Sequence, residues 1–238
     1  MSAPVPVALI LVSHSRDLAR GTAALAGQMA PGVLIVPAGG TPDGLGTSFD
    51  LVSESLVEAT GDGRAAVVLT DLGSAVLTTE AVLDFADEDV VERVRLADAP
   101  FVEGAVAAAV AAAGGAGLDE VVAAAQDAGT AFGHGATHGA EGSGAADGSA
   151  AASDGVVREV VLRNPLGLHA RPAAELARMV SGFDATVTIG GVNAVSVLEL
   201  MKLGATGGQR LVVHAVGPEA AAAVEAVSRA VDGGFGEA

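Results

Sequence analysis

The chain has 238 residues, and its 12 lysines and arginines stand against 29 aspartates and glutamates, a formal net charge of −17 at pH 7. That acidity opposes binding to nucleic acid or to an anionic membrane surface and favours a basic protein partner. There is no cysteine, so neither a disulfide framework nor a thiolate metal site is available, and half the residues are hydrophobic but only 3% aromatic, which predicts cores of small aliphatic side chains.

The chain opens on "VPVALILV", a run too short to span a bilayer, which flows into "SHSRDLARG" rather than a small-residue cleavage site. A soluble cytoplasmic protein is expected. From there apolar runs alternate with helical patterns: "VALILV" and a helix over about 16–29, then "VLIVP" and a helix over about 47–59. "AAVVLT" follows with a helix over about 74–85, then a short strand "RVRLA" and alanine-rich helices to about Ala128. Continuous apolar strands separated by helices predict an α/β unit, a mainly parallel sheet covered on both faces, over residues 1–128. The alanine-rich "GAVAAAVAAAGG" is expected to be a packing helix, too short and too weakly apolar to cross a membrane.

Residues 129–154 are almost wholly Gly, Ala, Ser and short polar residues, with no sustained apolar period. Such composition cannot bury enough surface to offset its ordering entropy, so a flexible linker is expected, with a span of roughly 25–30 Å. Its two histidines, His134 and His138, are four residues apart with no ordered element to hold them, and no metal site is expected. The acidity is uneven: residues 1–133 carry 5 basic and 18 acidic side chains, residues 154–238 carry 7 and 9.

Beyond the linker, residues 155–238 predict an α+β unit: strand (156–162), helix (170–180), strand "ATVTI", a short strand after "GG", a short helix (197–203), strand "RLVVHAV" and a last helix (219–231). Short, more alternating strands suggest an antiparallel sheet with helices on one face. His214 falls within a strand pattern and reads as an ordinary sheet histidine.

Two histidines stand where a strand ends and a helix begins. His14, in "LILVSHSRDLARG", lies at the carboxyl edge of a parallel sheet, where ligands bind. A third strand ends in "VVLTDLGSAVL", bringing Asp71 to the same edge with Gly73 and Ser74 at a helix start. Asp71 can accept a hydrogen bond from one ring nitrogen of His14 and leave the other as nucleophile, while backbone N–H groups and the Ser74 hydroxyl hold phosphoryl oxygens. The alternative is a polar turn with Asp71 as a cap. His169, in "NPLGLHARPAAELAR", precedes a helix with Pro172 in its first turn; a phosphoryl group could sit on the free N–H groups there, with Arg171 donating to it. The alternative is a histidine that merely caps a helix. Ser196, before "VLELMKLG", has the place of an ordinary N-cap. The glycine-rich "GGTPDGLGTS", residues 39–48, lacks the order of a nucleotide P-loop and reads as a rim loop of the site.

The segments "NPLGLHARPAAELA" and "GGVNAVSVLELMKLGA" closely resemble HPr, the histidine phosphocarrier family of the phosphoenolpyruvate-dependent phosphotransferase system. That resemblance covers the whole second unit and implies an open-faced sandwich in which His169 is phosphorylated, Arg171 is its partner and Ser196 matches a regulatory serine of some members. Glu199 departs from the pattern, standing where glycine is common. "VSHS", "GGTPDGLGTS", "TDLGSAVL" and "RLADAPFVEGAVAAAVAAAGG" resemble the mannose-type enzyme IIA fold and, within it, the DhaM subunits of phosphoenolpyruvate-dependent dihydroxyacetone kinases. The resemblance implies that His14 is phosphorylated and that this unit is a homodimer. It also implies that enzyme I comes from a separate chain and that ADP-bound DhaL, acting with DhaK, is the acceptor. No cofactor of its own is implied. Two rival expectations are a IIA component of a mannose-type transporter and a regulatory protein whose partners change on phosphorylation.

Overall fold

A computed structural model describes residues 6–133 and 155–236. In the first unit β1 (Val7–Ser13), β2 (Ile35–Gly39), β3 (Ala65–Thr70) and β4 (Val94–Leu96) form one parallel sheet in the order β2-β1-β3-β4. Every residue of β1 is buried, because helices cover both faces and neither face needs polar side chains. Val7, Leu9 and Leu11 point to one core with Val67 and Leu69; Ala8, Ile10 and Val12 point to the other with Ala66 and Val68.

α1 (Arg16–Met29), α5 (Phe101–Ala113) and α6 (Leu118–Gly133) cover the first face, and α2 (Phe49–Thr60) and α3 (Gly73–Asp84) the second. α1 and α2 are each started by a serine whose hydroxyl accepts a backbone N–H, Ser15 from Leu18 and Ser48 from Leu51. The Ser48 cap sets the start of α2 two residues later than the apolar pattern suggests. A short helix, α4 (Glu88–Val91), precedes β4 in a stretch where periodicity alone predicts none. α6 runs on to Gly133, so five residues of the segment expected to be linker, Gly129 to Gly133, form its last turn. His134, His138 and the rest of 134–154 lie outside the described residues.

The chain goes from β1 to β2 on one side and returns through α2 to β3 on the other. The carboxyl ends of β1 and β3 therefore flank the point where the topology reverses, which is where open α/β sheets place their ligands.

The second unit is an antiparallel sheet, β5 (Val156–Val161), β8 (Arg210–Val216), β6 (Thr186–Ile189) and β7 (Val192–Asn193) in that spatial order, with α7 (Ala170–Val180), α8 (Val197–Lys202) and α9 (Ala220–Asp232). β8 alternates as a half-covered strand should: Leu211, Val213 and Ala215 are buried, and His214 lies on the opposite face.

The two units share a core. α7 packs on α1 and α5, α8 packs on α5 and α6, and one cluster of buried side chains runs from Leu9 and Ala109 to Leu176 and Leu200. α5 makes this possible by burying Gly104, Ala105, Val106, Ala108, Ala109, Val110 and Ala112. Small side chains on several sides of one helix let neighbours approach from both sides.

Candidate active site

β1 ends at Ser13 and α1 begins at Arg16, so His14 sits in a two-residue joint at the reversal point. Asp71, one residue beyond β3, reaches across to it. Its Oδ1 lies 2.9 Å from the His14 ring Nδ1. Its Oδ2 accepts both the His14 backbone N–H at 2.9 Å and the Ser13 hydroxyl at 2.8 Å. Ser13 is fully buried, and its oxygen accepts the Ser15 N–H in turn. The carboxylate thus meets three donors from two consecutive residues, Ser13 and His14.

Burial pushes the Asp71 carboxyl up, but hydrogen bonds from the His14 ring, the His14 backbone and Ser13 outweigh it and hold the group below its ordinary value. Asp71 is therefore an anion and only an acceptor, so the proton in the shared bond belongs to Nδ1. The lone pair of His14 falls on Nε2. There the Ser74 hydroxyl, 2.6 Å away, donates to it. The imidazole is gripped at both nitrogens, its side chain 24% exposed and that of Asp71 11%.

Ser74 is the second residue of α3, whose N-cap, Leu72, supplies no side-chain acceptor. The first N–H groups of α3 are thus left beside Nε2, the arrangement that suits phosphoryl oxygens. The glycine-rich loop closes the other side: Gly46 N–H donates to the His14 carbonyl at 2.8 Å, Gly40 N–H to the Ser13 carbonyl at 3.0 Å, and Thr47 bonds Thr78 on α3 at 2.8 Å. Gly39 has to be glycine, because a Cβ there would come within 2.6 Å of the Ser15 carbonyl and 2.7 Å of Ala19 Cβ. Four of the expected residues, His14, Asp71, Gly73 and Ser74, are brought together.

His169 is the N-cap of α7, in extended backbone, and makes no side-chain cap bond. The loop before it is pinned from below: the Asn164 amide donates to the Gly167 carbonyl at 2.7 Å, and Leu168 N–H donates to the Ala205 carbonyl at 2.9 Å. Gly167 has φ +70° and crosses so close to Ala205 that a Cβ would overlap its carbonyl. Arg171 is exposed and makes no hydrogen bond or ion pair within the described residues; its guanidinium is not bonded to His169. Ser196 caps α8 by accepting Glu199 N–H at 3.3 Å, and the Glu199 carboxylate accepts Asn193 N–H at 2.9 Å.

Ser13 and Asn164 are the positioning groups that sequence reasoning missed. Ser13 reads as the tail of an apolar strand, and its only signal is a hydroxyl directly before the histidine; Asn164 reads as a turn residue. Two clefts, of about 1000 and 350 Å³, occur elsewhere, one between α5–α6 and α8 and one behind the glycine-rich loop, and neither is lined by His14 or His169. Both histidines stand at open edges, where another protein can reach them.

Family comparisons agree with this division. Residues 8–124 match the model of the PTS system fructose IIA component, and residues 156–232 that of the PTS HPr component phosphorylation site. The chain is therefore a IIA-type unit joined to an HPr-type unit, a phosphotransferase-system protein. A Providencia stuartii phosphoryl donor subunit DhaM of PEP-dependent dihydroxyacetone kinase is 35% identical over 97% of this chain and 50% of its own. A Listeria innocua DhaM is 38% identical over 44% of this chain and 80% of its own, and a Shewanella violacea phosphocarrier protein NPr is 41% identical over 34% of this chain and 93% of its own. The chain belongs to the DhaM family. It spans about half the length of the Providencia relative. No helix among the described residues is long and apolar enough to cross a membrane.

Proposed function

We propose that the chain is a phosphohistidine relay: enzyme I phosphorylates His169 with phosphate from phosphoenolpyruvate, His169 passes it to His14, and phospho-His14 phosphorylates ADP held by a DhaL subunit that serves dihydroxyacetone on DhaK. The observation that carries it is the two-handed grip on His14, with Nδ1–H on Asp71 and Nε2 presented beside the start of α3.

The step balances without an added reactant. The donor ring carries a proton on its unphosphorylated nitrogen. As the P–N bond to His169 breaks and the P–N bond to His14 Nε2 forms, the donor leaves as a neutral imidazole. The acceptor keeps its Nδ1 proton and becomes a phosphorylated imidazolium, whose charge the Asp71 carboxylate offsets. The Ser74 hydroxyl, released from Nε2, turns to the phosphoryl oxygens with the N–H groups of α3. Charge stabilisation and alignment are all that this transfer asks of a protein.

The test is intact-mass analysis after incubation with phosphoenolpyruvate and enzyme I. The wild-type chain takes up two acid-labile phosphoryl groups, His14→Ala takes up one, and His169→Ala none. Phosphorylation of His14 in the His169→Ala chain would show that the HPr-type unit is not the donor. Discharge of phospho-His14 by ADP-bound DhaL, and not by a transporter's IIB protein, separates the kinase role from the transport one. A homodimer through the first unit belongs to the same proposal, checked by light scattering.

A further inference from the structure

The seat of the second unit and the mouth of the His14 site are on opposite faces of the first unit's sheet. α7 and α8 pack on α1, α5 and α6. The His14 imidazole turns towards Ser74 at the start of α3, which lies with α2 on the other face. The contact extends to the far edge of the sheet: α5 starts at the site edge, just after β4, and ends at Gly114, where an ideal Cβ would stand 3.2 Å from Ser181 Cβ at the end of α7. A chain that delivers phosphate from its own His169 to its own His14 must first strip its second unit out of a shared core.

The histidine corner of the second unit stays open while the unit is seated. Leu166, three residues before His169, is 73% exposed, and Arg163 and Arg171 are exposed beside it. Around His14 the first unit presents a matching surface: Leu45 of the glycine-rich loop is 81% exposed, Leu72 is 60% and Leu77, one turn beyond Ser74, is 66%. These apolar side chains are set in a unit with 18 acidic and 5 basic residues. An apolar corner flanked by arginines fits an apolar rim on an acidic body.

We infer that the transfer runs between copies: His169 of one chain, still seated, delivers its phosphoryl group to His14 of a second copy, whose Leu45–Leu72–Leu77 rim receives the Leu166–Arg171 corner. This rests on the relay proposed above and names the partner that completes the His14 site. The bonds made and broken are those already given; only the chain that supplies the donor changes.

A cross-link tests it directly, because the native chain has no cysteine. Gly114 lies in right-handed helical backbone, so a side chain there needs no positive φ. Its Cβ would stand 3.2 Å from Ser181 Cβ and 3.3 Å from the Ala111 carbonyl, so in Gly114→Cys/Ser181→Cys a shift of a few tenths of an ångström brings the two Cβ atoms to the roughly 3.5–4.5 Å that a disulfide needs. The oxidised double variant, with its second unit locked in place, is expected to phosphorylate His14 from His169 within about threefold of its reduced form, a difference of well under 1.4 kcal/mol. Loss of transfer on oxidation, restored by reduction, would overturn the inference and show delivery within one chain. So would failure of the disulfide to form, which would mean the seat is not held. Absence of transfer in both redox states and in the wild-type chain is the separate failure of the relay itself.

A mixing experiment covers the case in which the cysteines disturb folding. Isotope-labelled His169→Ala chain is combined with His14→Ala chain, phosphoenolpyruvate and enzyme I. The labelled chain gains a phosphoryl group at a rate comparable to wild type; a labelled chain left unphosphorylated while wild type is charged would sink the inference. Leu77→Glu on the labelled chain, at an exposed rim position outside the helix start that holds the phosphoryl group, slows the gain at least about tenfold, with chemical phosphorylation by phosphoramidate unchanged, whereas an unchanged gain would remove the rim from the proposal.

Discussion

Asp71 meets His14 twice, accepting the ring Nδ1–H on one carboxylate oxygen and the backbone N–H of the same residue on the other, each at 2.9 Å. The second bond fixes where the carboxylate stands relative to the chain, and the first fixes the ring relative to the carboxylate. Tautomer and orientation are therefore set together.

Asp71→Asn separates the two jobs. The amide can offer one acceptor to Ser13 and the His14 backbone, but its NH₂ then faces Nδ1, which must become the acceptor and pass its proton to Nε2. The fold survives and the nucleophile is lost. Phosphorylation of His14 is expected to slow by about 10³–10⁴-fold, the scale seen when a wrong histidine tautomer is imposed elsewhere, while His169 is charged normally. Rapid-quench mass analysis of both sites reads the two outcomes in one sample.

The same carboxylate gives stability a pH dependence of known sign. Because the folded state holds the Asp71 carboxyl below its ordinary value, the unfolded chain takes up the proton first as the pH falls. The contribution is complete well above pH 4, and it drains away as the pH drops through the ordinary aspartate value, about 3.9, towards the lower folded one. Thermal unfolding of wild type and Asp71→Asn between pH 7 and pH 3 should show a Tm gap that is widest at neutral pH and closes in acid.

Ser74→Ala leaves the His14–Asp71 pair in place and removes only the hydroxyl. Nε2 keeps its lone pair, so His14 remains nucleophilic, but the phosphoryl group loses a donor in the transition state. Roughly a 10²-fold fall in the single-turnover transfer rate is expected, with thermal stability unchanged and a modest recovery in Ser74→Thr.

The His14 site was legible in the sequence because two general rules converge on it: parallel strands end at a ligand edge, and residues just past β1 and β3 must share that edge. Those rules bring His14, Asp71 and Ser74 to one edge but leave a polar turn with Asp71 as a cap equally open, and it was the resemblance of the surrounding segments that favoured a site. Ser13 does not stand out, because a serine ending an apolar strand shows no pattern that separates a buried hydrogen-bonding role from a strand terminus. Nor does the short helix α4, four residues with no apolar period. The packing of the second unit on α1 and α5 was illegible for a different reason. An alanine-rich helix has no broad apolar stripe with a polar opposite face, so its pattern says that it packs without saying on how many sides. Arg171 stood in a family motif beside His169, yet its side chain is exposed and makes no hydrogen bond or ion pair within the described residues, because a motif shows which residues are neighbours in the chain and not which of them bond.

Gly167→Ala tests how the His169 loop is held. Positive φ strains any L side chain there, and the added Cβ would overlap the Ala205 carbonyl that also accepts Leu168 N–H. Backbone on both sides must shift, breaking the Leu168 bond and moving the histidine. A loss of about 2–4 kcal/mol is expected from strain and overpacking together, read by urea unfolding, with slowed charging by enzyme I in the fraction that stays folded.

Ser196 can be tested as a cap independently of any modification. Its hydroxyl accepts Glu199 N–H, and the Glu199 carboxylate reaches back to accept the Asn193 N–H of β7, so the first turn of α8 is capped and tied to the strand before it. Ser196→Ala should cost about 1 kcal/mol and Ser196→Asp should recover most of it, because a carboxylate oxygen accepts the same bond. The recovery should be incomplete, since a second negative charge then stands within one helical turn of Glu199. The double variant Ser196→Asp/Glu199→Gln should exceed Ser196→Asp in stability at low salt and converge with it as salt rises. Equal stability of Ser196→Ala and wild type would show that α8 is held by Val197 and Leu200 in the core, not by its cap.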